Sequence, residues 1–188
     1  MKKLVQVICV LLCSMMIGCS LPSASKKDAK KYVIVKQLDH ASIDEIAVAI
    51  ENELKELDET AEVEIYSGQN DQSTLMQIGK QAVTDGADVI IPIGTLAAQT
   101  MVVASEDTEI PVVYATISDP EAASLTGIDR VTGTSDALNT KQFVDMMLKQ
   151  NPNLQTVGLL YSNSEANSQK PIAEVKKAKE WMLERMKE

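Results

Sequence analysis

The chain is poor in the residues that most often carry chemistry. Among its 188 residues there is one histidine, His40. That leaves no histidine-based metal triad and disfavours a Ser–His or Cys–His pair. One tryptophan, four tyrosines and one phenylalanine are too few for a stacking platform that reads sugars or bases. Positive charge is short as well. Eighteen Lys and Arg against 27 Asp and Glu leave a net charge of −9, without the clustered basic face that nucleic acid requires. No Gly-x-Ser-x-Gly elbow, His-Glu-x-x-His pair or phosphate loop is present, which counts against an exported enzyme. A composition of 45% hydrophobic and 24% charged residues excludes collagen-like chains, long disorder and a helical membrane bundle. The length allows one domain of about 150 residues with additions.

The N-terminus reads as an address. Lys2 and Lys3 precede an apolar run, residues 4–17, broken only by Gln6 and Ser14. Fourteen helical residues span about 21 Å, short of the ~30 Å hydrocarbon core, so the run is a signal-peptide core and not a membrane span. It ends in Met16-Ile17-Gly18-Cys19, which resembles the lipobox of bacterial lipoproteins, with Met16 where that family usually has leucine. The resemblance implies cleavage before Cys19 and a diacylglycerol on its sulfur. Plain secretion is the alternative. Cys9 and Cys13 fall in the removed segment, so Cys19 is the one thiol left and no internal disulfide can form. A cysteine dyad, as in racemases, is excluded for the same reason. The polar stretch from Ser20 to Lys31 is a tether whose Lys26, Lys27, Lys30 and Lys31 either lean on anionic headgroups or are simply solvated.

From Tyr32 onward, strand and helix patterns alternate. Residues 32–35 are a short β-branched run suited to a buried strand. Ser42 and Glu45 form a capping box for a helix whose Ile43, Ile46, Ala47, Ile50, Leu54 and Leu57 recur at helical spacing. Strands are expected at 61–66, 89–93, 112–115, within 127–135, and at 156–161. Helices are expected after Asn70-Asp71, from Gly94-Thr95 to about 105, at 140–149 and at about 168–187. Ser118-Asp119-Pro120 reads as a cap with proline at the first helical position. Met146, Met147 and Trp181 fit helical packing positions. Apolar strands separated by helices of 10–15 residues mean a parallel sheet covered on both faces, and right-handed crossovers make it a doubly wound α/β layer.

In such a sheet a ligand sits outside the carboxyl ends of the strands, at the switch in strand order. The strand-end segments are 37–40, 68–71, 94–97 and 116–119. Small and hydroxylated residues there expose backbone N–H groups at helix starts, which favour an anion such as a carboxylate. Asp119 or Asp136 would take an ammonium, so together the groups suit a zwitterion. Capping alone also accounts for Ser42, Asn70, Asp71, Thr95, Ser118 and Asp119, and His40 also reads as a solvated loop residue.

The strand ends carry a resemblance. The stretches Gln37-Leu38-Asp39-His40-Ala41-Ser42-Ile43-Asp44 and Gly68-Gln69-Asn70-Asp71-Gln72-Ser73-Thr74-Leu75 come first. Gly94-Thr95-Leu96-Ala97-Ala98-Gln99, Ser118-Asp119-Pro120 and Gly133-Thr134-Ser135-Asp136 follow. The last is Tyr161-Ser162-Asn163-Ser164-Glu165-Ala166-Asn167-Ser168. As an ordered set, the chain resembles the bacterial ABC-transporter substrate-binding lipoproteins of the tryptophan/tyrosine type. The resemblance implies a type I periplasmic-binding-protein-like fold whose two lobes close on an amino-acid-like ligand, possession of no cofactor, and a membrane permease as partner. It places Gln37, His40, Asn70, Asp71, Thr95, Ala97, Gln99, Ser118, Asp119 and Asp136 on the first side of the cleft. Thr95 and Ser118 face the ligand carboxylate and Asp136 its ammonium, while Asn163 and Glu165 reach the ligand from the second lobe.

The resulting organisation is a signal peptide at 1–18, a lipidated cysteine and tether at 19–31, an α/β lobe at 32–154, and at 155–188 a crossover with the first strand and helix of an incomplete second lobe. Two full lobes need roughly 200–300 residues. The expectation is therefore an exported, membrane-anchored solute-binding component that binds its ligand weakly on its own. The alternatives are an interaction or structural lipoprotein, or a truncated binder without function.

Overall fold

The computed structural model describes residues 29–163 and 165–185, without the side chains of Ala166 and 178–185. The signal segment, the lipobox with Cys19, Lys26 and Lys27, and the Trp181 side chain lie outside that description.

Five strands, β1 (Lys31–Lys36), β2 (Glu62–Ser67), β3 (Val89–Ile93), β4 (Val112–Tyr114) and β5 (Val131–Gly133), form one sheet in the order β2-β1-β3-β4-β5. Every pairing is parallel. Five helices connect or follow them: α1 (Ala41–Leu57), α2 (Gln72–Thr84), α3 (Thr95–Ala104), α4 (Thr140–Gln150) and α5 (Ala166–Arg185).

Strand alternation divides the core. Val33 and Val35 point to one face, where Leu75 and Ala82 of α2 and Ala97 and Met101 of α3 bury against them. Ile34 points to the other face and packs with Ala47 of α1, Ile91 and Ile93. Both faces being covered, β1 and β3 can be apolar throughout, as the doubly wound expectation requires. The sheet thus confirms the α/β fold class. Its strand order reverses between β1 and β3, and the carboxyl ends of those two strands define the crevice.

Several local expectations are corrected. Lys31 is the first residue of β1 and not tether; its ammonium pairs with Glu64 at 3.1 Å. The capping box at Ser42 does not form, because the cap of α1 lies two residues earlier. His40, in extended backbone, is the N-cap, and its Nδ1 accepts the Ser42 N–H at 3.3 Å. Ser118-Asp119-Pro120 opens no helix. The Asp119 carboxylate accepts the Ala122 N–H, and one turn follows before Ser124 enters the left-handed region at φ 58°. Burial of Ala123 and Leu125 against Ala98, Tyr114 and Ile117 draws the chain back into the core there.

Residues 156–161 are β-prone, yet they form no strand among the described residues. A parallel strand needs a neighbour for its ladder bonds, and among the described residues none pairs with this segment. Leu160 is fully exposed and Leu159 and Tyr161 are partly so. Met146 is exposed on α4 and is not a packing residue, whereas Val144 of the same helix is buried.

Candidate functional site

A cleft of about 260 Å³ opens at the β1/β3 switch, lined by Gln37, Asn70, Thr95, Leu96, Gln99, Glu165 and Asn167. Its floor follows from three strand ends. Gln37 is the residue after β1, and its N–H is held by the Ile93 carbonyl at 3.0 Å. Gly94 follows β3 and turns the chain into α3 with φ 98° and ψ 154°, a conformation open in practice only to glycine. A Cβ at Gly94 would also stand 2.7 Å from Gln37 Oε1. The missing side chain is what lets Gln37 approach the helix.

Gln37 uses that approach twice. Its Oε1 accepts the Leu96 N–H at 3.0 Å, serving one of the donors that an α-helix leaves free in its first turn. Its Nε2 donates to Asn70 Oδ1 at 2.9 Å. Asn70 is presented by a tight bend after β2 in which Gln69 and Asn70 both adopt left-handed backbone, at φ 52° and 55°. The Asn70 N–H donates to the Gln37 carbonyl at 2.7 Å, so backbone and side chain of the two residues are locked together. Thr95 is nearly buried at the first position of α3. Gln99, one turn on, donates Nε2 to the Ala123 carbonyl at 3.1 Å, which fixes the amide and leaves its oxygen uncommitted to that bond.

The opposite wall is the start of α5. Glu165 and Asn167 line it, and Asn167 Oδ1 is buried with no hydrogen-bond partner among the described residues. An unpaired buried acceptor costs about 1–3 kcal/mol, so this atom marks a place where a donor belongs. The cleft therefore combines the donor-rich N-terminus of α3 on one side with a carboxylate and an open amide oxygen on the other.

Five expected residues meet here: Gln37, Asn70, Thr95, Gln99 and Glu165. The structure places the others elsewhere. His40 and Asp71 are N-caps; Asp71 accepts both the N–H and the hydroxyl of Thr74, at 2.7 and 2.8 Å, and these bonds hold its carboxyl below the usual range. The side chain of Ala97 is fully buried in the core, so it can offer a ligand only its backbone N–H. Ser118 donates to Asp136 at 2.9 Å, pairing the two residues expected to divide a zwitterion between them. Asp119 is held below its ordinary pKa first by the Ala122 N–H and then by Lys170, whose ammonium is 3.5 Å away. Asn163 is exposed in the turn before α5 and does not line the cleft. These residues are spent on caps, turns and each other because helix ends and bends need acceptors before any ligand does.

Two lining residues were missed. Leu96 stands inside the family-like stretch that begins at Gly94 and, being apolar, carries no polar signal of its own. Asn167 stood inside the last family-like stretch, and its signal was the spacing Asn167, Lys170, Glu174, which puts all three on one face of a helix.

Beside the cleft lies a polar network. Lys36 pairs with both Asp39 and Asp44, and Gln69 donates to the other Asp39 oxygen. The Lys36 ammonium, then Gln69, pull the Asp39 carboxyl down to about 2. Among the described residues no helix is long and apolar enough to cross a membrane.

Comparison with known proteins bears on the family and the fold. Residues 31–183 match the family described as ABC transporter substrate binding protein. The chain is 30% identical to a tyrosine-binding protein of Clostridioides difficile, over 89% of this chain and 54% of that protein. An ABC domain from Streptococcus pneumonia in complex with L-Trp is 33% identical and superposes with a TM-score of 0.71, covering 78% of this chain and 52% of the other. A ligand-free, open substrate-binding protein with adhesive properties from Clostridium difficile is 26% identical with a TM-score of 0.65, covering 80% of this chain and 53% of the other. The chain thus spans about half the length of the relatives it matches.

Proposed function

Because the chain belongs to the ABC transporter substrate-binding protein family, we propose that it is the solute-binding component of an import system, taking an amino acid with an aromatic side chain at the β1/β3 cleft and presenting it to a permease. The observation that carries the reading is the buried Asn167 Oδ1, unpaired among the described residues, beside Glu165 and across one cleft from the N-terminus of α3. An α-ammonium supplies the donor that Asn167 lacks, with Glu165 balancing its charge. The α-carboxylate lies at the start of α3, where Thr95 and the backbone N–H groups favour an anion. The aromatic preference comes from the relatives: one binds tyrosine and one was solved with L-Trp. The family match favours a role in capture.

Membership of the family implies an extracytoplasmic protein. The lipobox-like Met16-Ile17-Gly18-Cys19 supports anchoring through a lipidated Cys19. Of the residues outside the cleft, Ala97 retains a part through its N–H, whereas the side chains of His40, Asp71, Ser118, Asp119 and Asp136 are engaged in caps, turns and each other.

Calorimetric titration with L-tryptophan and L-tyrosine tests the proposal. The cleft is smaller than the roughly 300–1,000 Å³ of typical ligand pockets. Binding by this chain is therefore expected to be saturable and weak, with Kd of about 0.1–1 mM, which corresponds to about 4–5.5 kcal/mol. No response to either amino acid overturns the reading; a micromolar Kd overturns the expected weakness. A second reading, a lipoprotein that associates with itself or a partner, is favoured by the exposed apolar run at Leu159, Leu160 and Tyr161. A concentration-dependent dimer without any ligand response would select it.

A further inference from the structure

The outer wall of the cleft is held by contacts that lie outside it. Asn167, Lys170 and Glu174 occur at i, i+3 and i+7 of α5 and so share one face. Asn167 lines the cleft. Lys170 reaches the Asp119 carboxylate at 3.5 Å, and Glu174 accepts the Thr140 hydroxyl at 2.6 Å. Asp119 belongs to the turn after β4, with only 11% of its side chain exposed, and it is fixed from behind by the Ala122 N–H. Thr140 is buried at the start of α4. The same helical face thus carries a cleft residue and two ties to largely buried partners on different elements.

The helix itself does little to hold its first turn. Pro171 lies inside α5 and has no N–H, so the ladder bond that residue 171 would donate to the Asn167 carbonyl cannot form. The turn bearing Asn167 is coupled to the body of the helix by one hydrogen bond fewer than usual. Its position depends correspondingly more on Lys170, which stands immediately before the break.

We propose that Lys170 is a positioning residue of the cleft: its ion pair with Asp119 holds the first turn of α5 in place as the outer wall. This rests on the cleft being the ligand site, and it deepens that reading by naming what sets the wall. Lys170 does not touch the ligand. It acts through Asn167, one turn away on the same face.

The test compares wild type with Lys170→Met and Lys170→Arg in the purified protein, by amide hydrogen exchange and by L-tryptophan titration. Asp119 is left intact, since its loss would also release the Ala122 N–H. Without ligand, Lys170→Met is expected to speed exchange of the amides of residues 169, 170 and 172–174 by about two- to five-fold, the range for one partly exposed ion pair. Amides of α1 should not change, and Lys170→Arg should restore protection. L-tryptophan affinity should fall by a similar factor in Lys170→Met and recover in Lys170→Arg. Equal exchange in all three proteins overturns the proposal. So does faster exchange with unchanged L-tryptophan affinity, because the tie would then not set the cleft. If wild type binds no amino acid, the functional reading fails, while the exchange result still decides whether Lys170 holds the wall.

Discussion

Gln37 Oε1 accepts the backbone N–H of Leu96 at 3.0 Å, across 59 residues of sequence. The bond joins the carboxyl end of β1 to the first turn of α3 at the point where the strand order reverses. It makes the cleft floor one unit with the sheet, and through Asn70 it extends to the β2 end as well.

Gly94→Ala should damage both the fold and the floor of the cleft. The backbone at φ 98° is unfavourable for any residue with a Cβ, and the new methyl would press on Gln37. A loss of about 1–3 kcal/mol is expected in denaturant unfolding. The Gln37–Leu96 bond should open with it, visible as faster exchange of the Leu96 amide. Wild-type stability in the variant would show that the turn relaxes freely.

Asn167→Leu should move stability and binding in opposite directions. Removing an acceptor that is buried without a partner relieves its desolvation, so unfolding free energy should stay level or rise by about 1 kcal/mol. Affinity for L-tryptophan should fall about ten-fold, since an ammonium loses a charge-assisted bond. A clear loss of stability would mean that Oδ1 has a partner in solution, and the site assignment would lose its main support.

Acid should weaken the fold through Asp39. Its carboxyl titrates at about 2 in the folded protein against an ordinary 3.8, because Lys36 and Gln69 bind the charged form. A lowered folded-state pKa means that the unfolded chain binds the proton first as pH falls. The stabilisation is complete above about pH 4 and is lost as pH falls toward 2. Thermal midpoints measured from pH 5 to pH 2 should decline, and Asp39→Asn should decline less steeply. Asp71, Asp119 and Glu64 are lowered in the same direction and add to the slope. Parallel curves for wild type and Asp39→Asn would exclude Asp39 as a source.

Leu160→Glu should cost no stability, because Leu160 is fully exposed. It should lower self-association, since an unpaired β-prone run with apolar side chains is a template for edge pairing. Sedimentation velocity over a concentration series reads the effect. Unchanged association would place any interface elsewhere.

Much of the fold was legible as periodicity. The residues of β3 were read in full as an apolar strand, and α3 was placed within a residue, because burial on both faces leaves an almost uninterrupted apolar pattern. The residues at 156–161 have the same local pattern and form no strand, because β structure depends on a neighbour that local sequence does not specify. His40 took the cap expected of Ser42 by a shift of two residues, which hydroxyl-based capping rules do not foresee.

The sequence by itself determined the class of the molecule: a leader-like N-terminus, alternating apolar strands and amphipathic helices, and hence the edge of the sheet where a ligand must sit. Those properties follow from local spacing and from the need to bury apolar surface. The tertiary structure alone decided which polar side chains at that edge are occupied. Asp71 and His40 cap helices, Ser118 satisfies Asp136, Asp119 binds a turn and Lys170, and Asn167 is left unpaired. Hydrogen bonds are saturable and directional, so whether a group is free for a ligand depends on partners brought close only by folding.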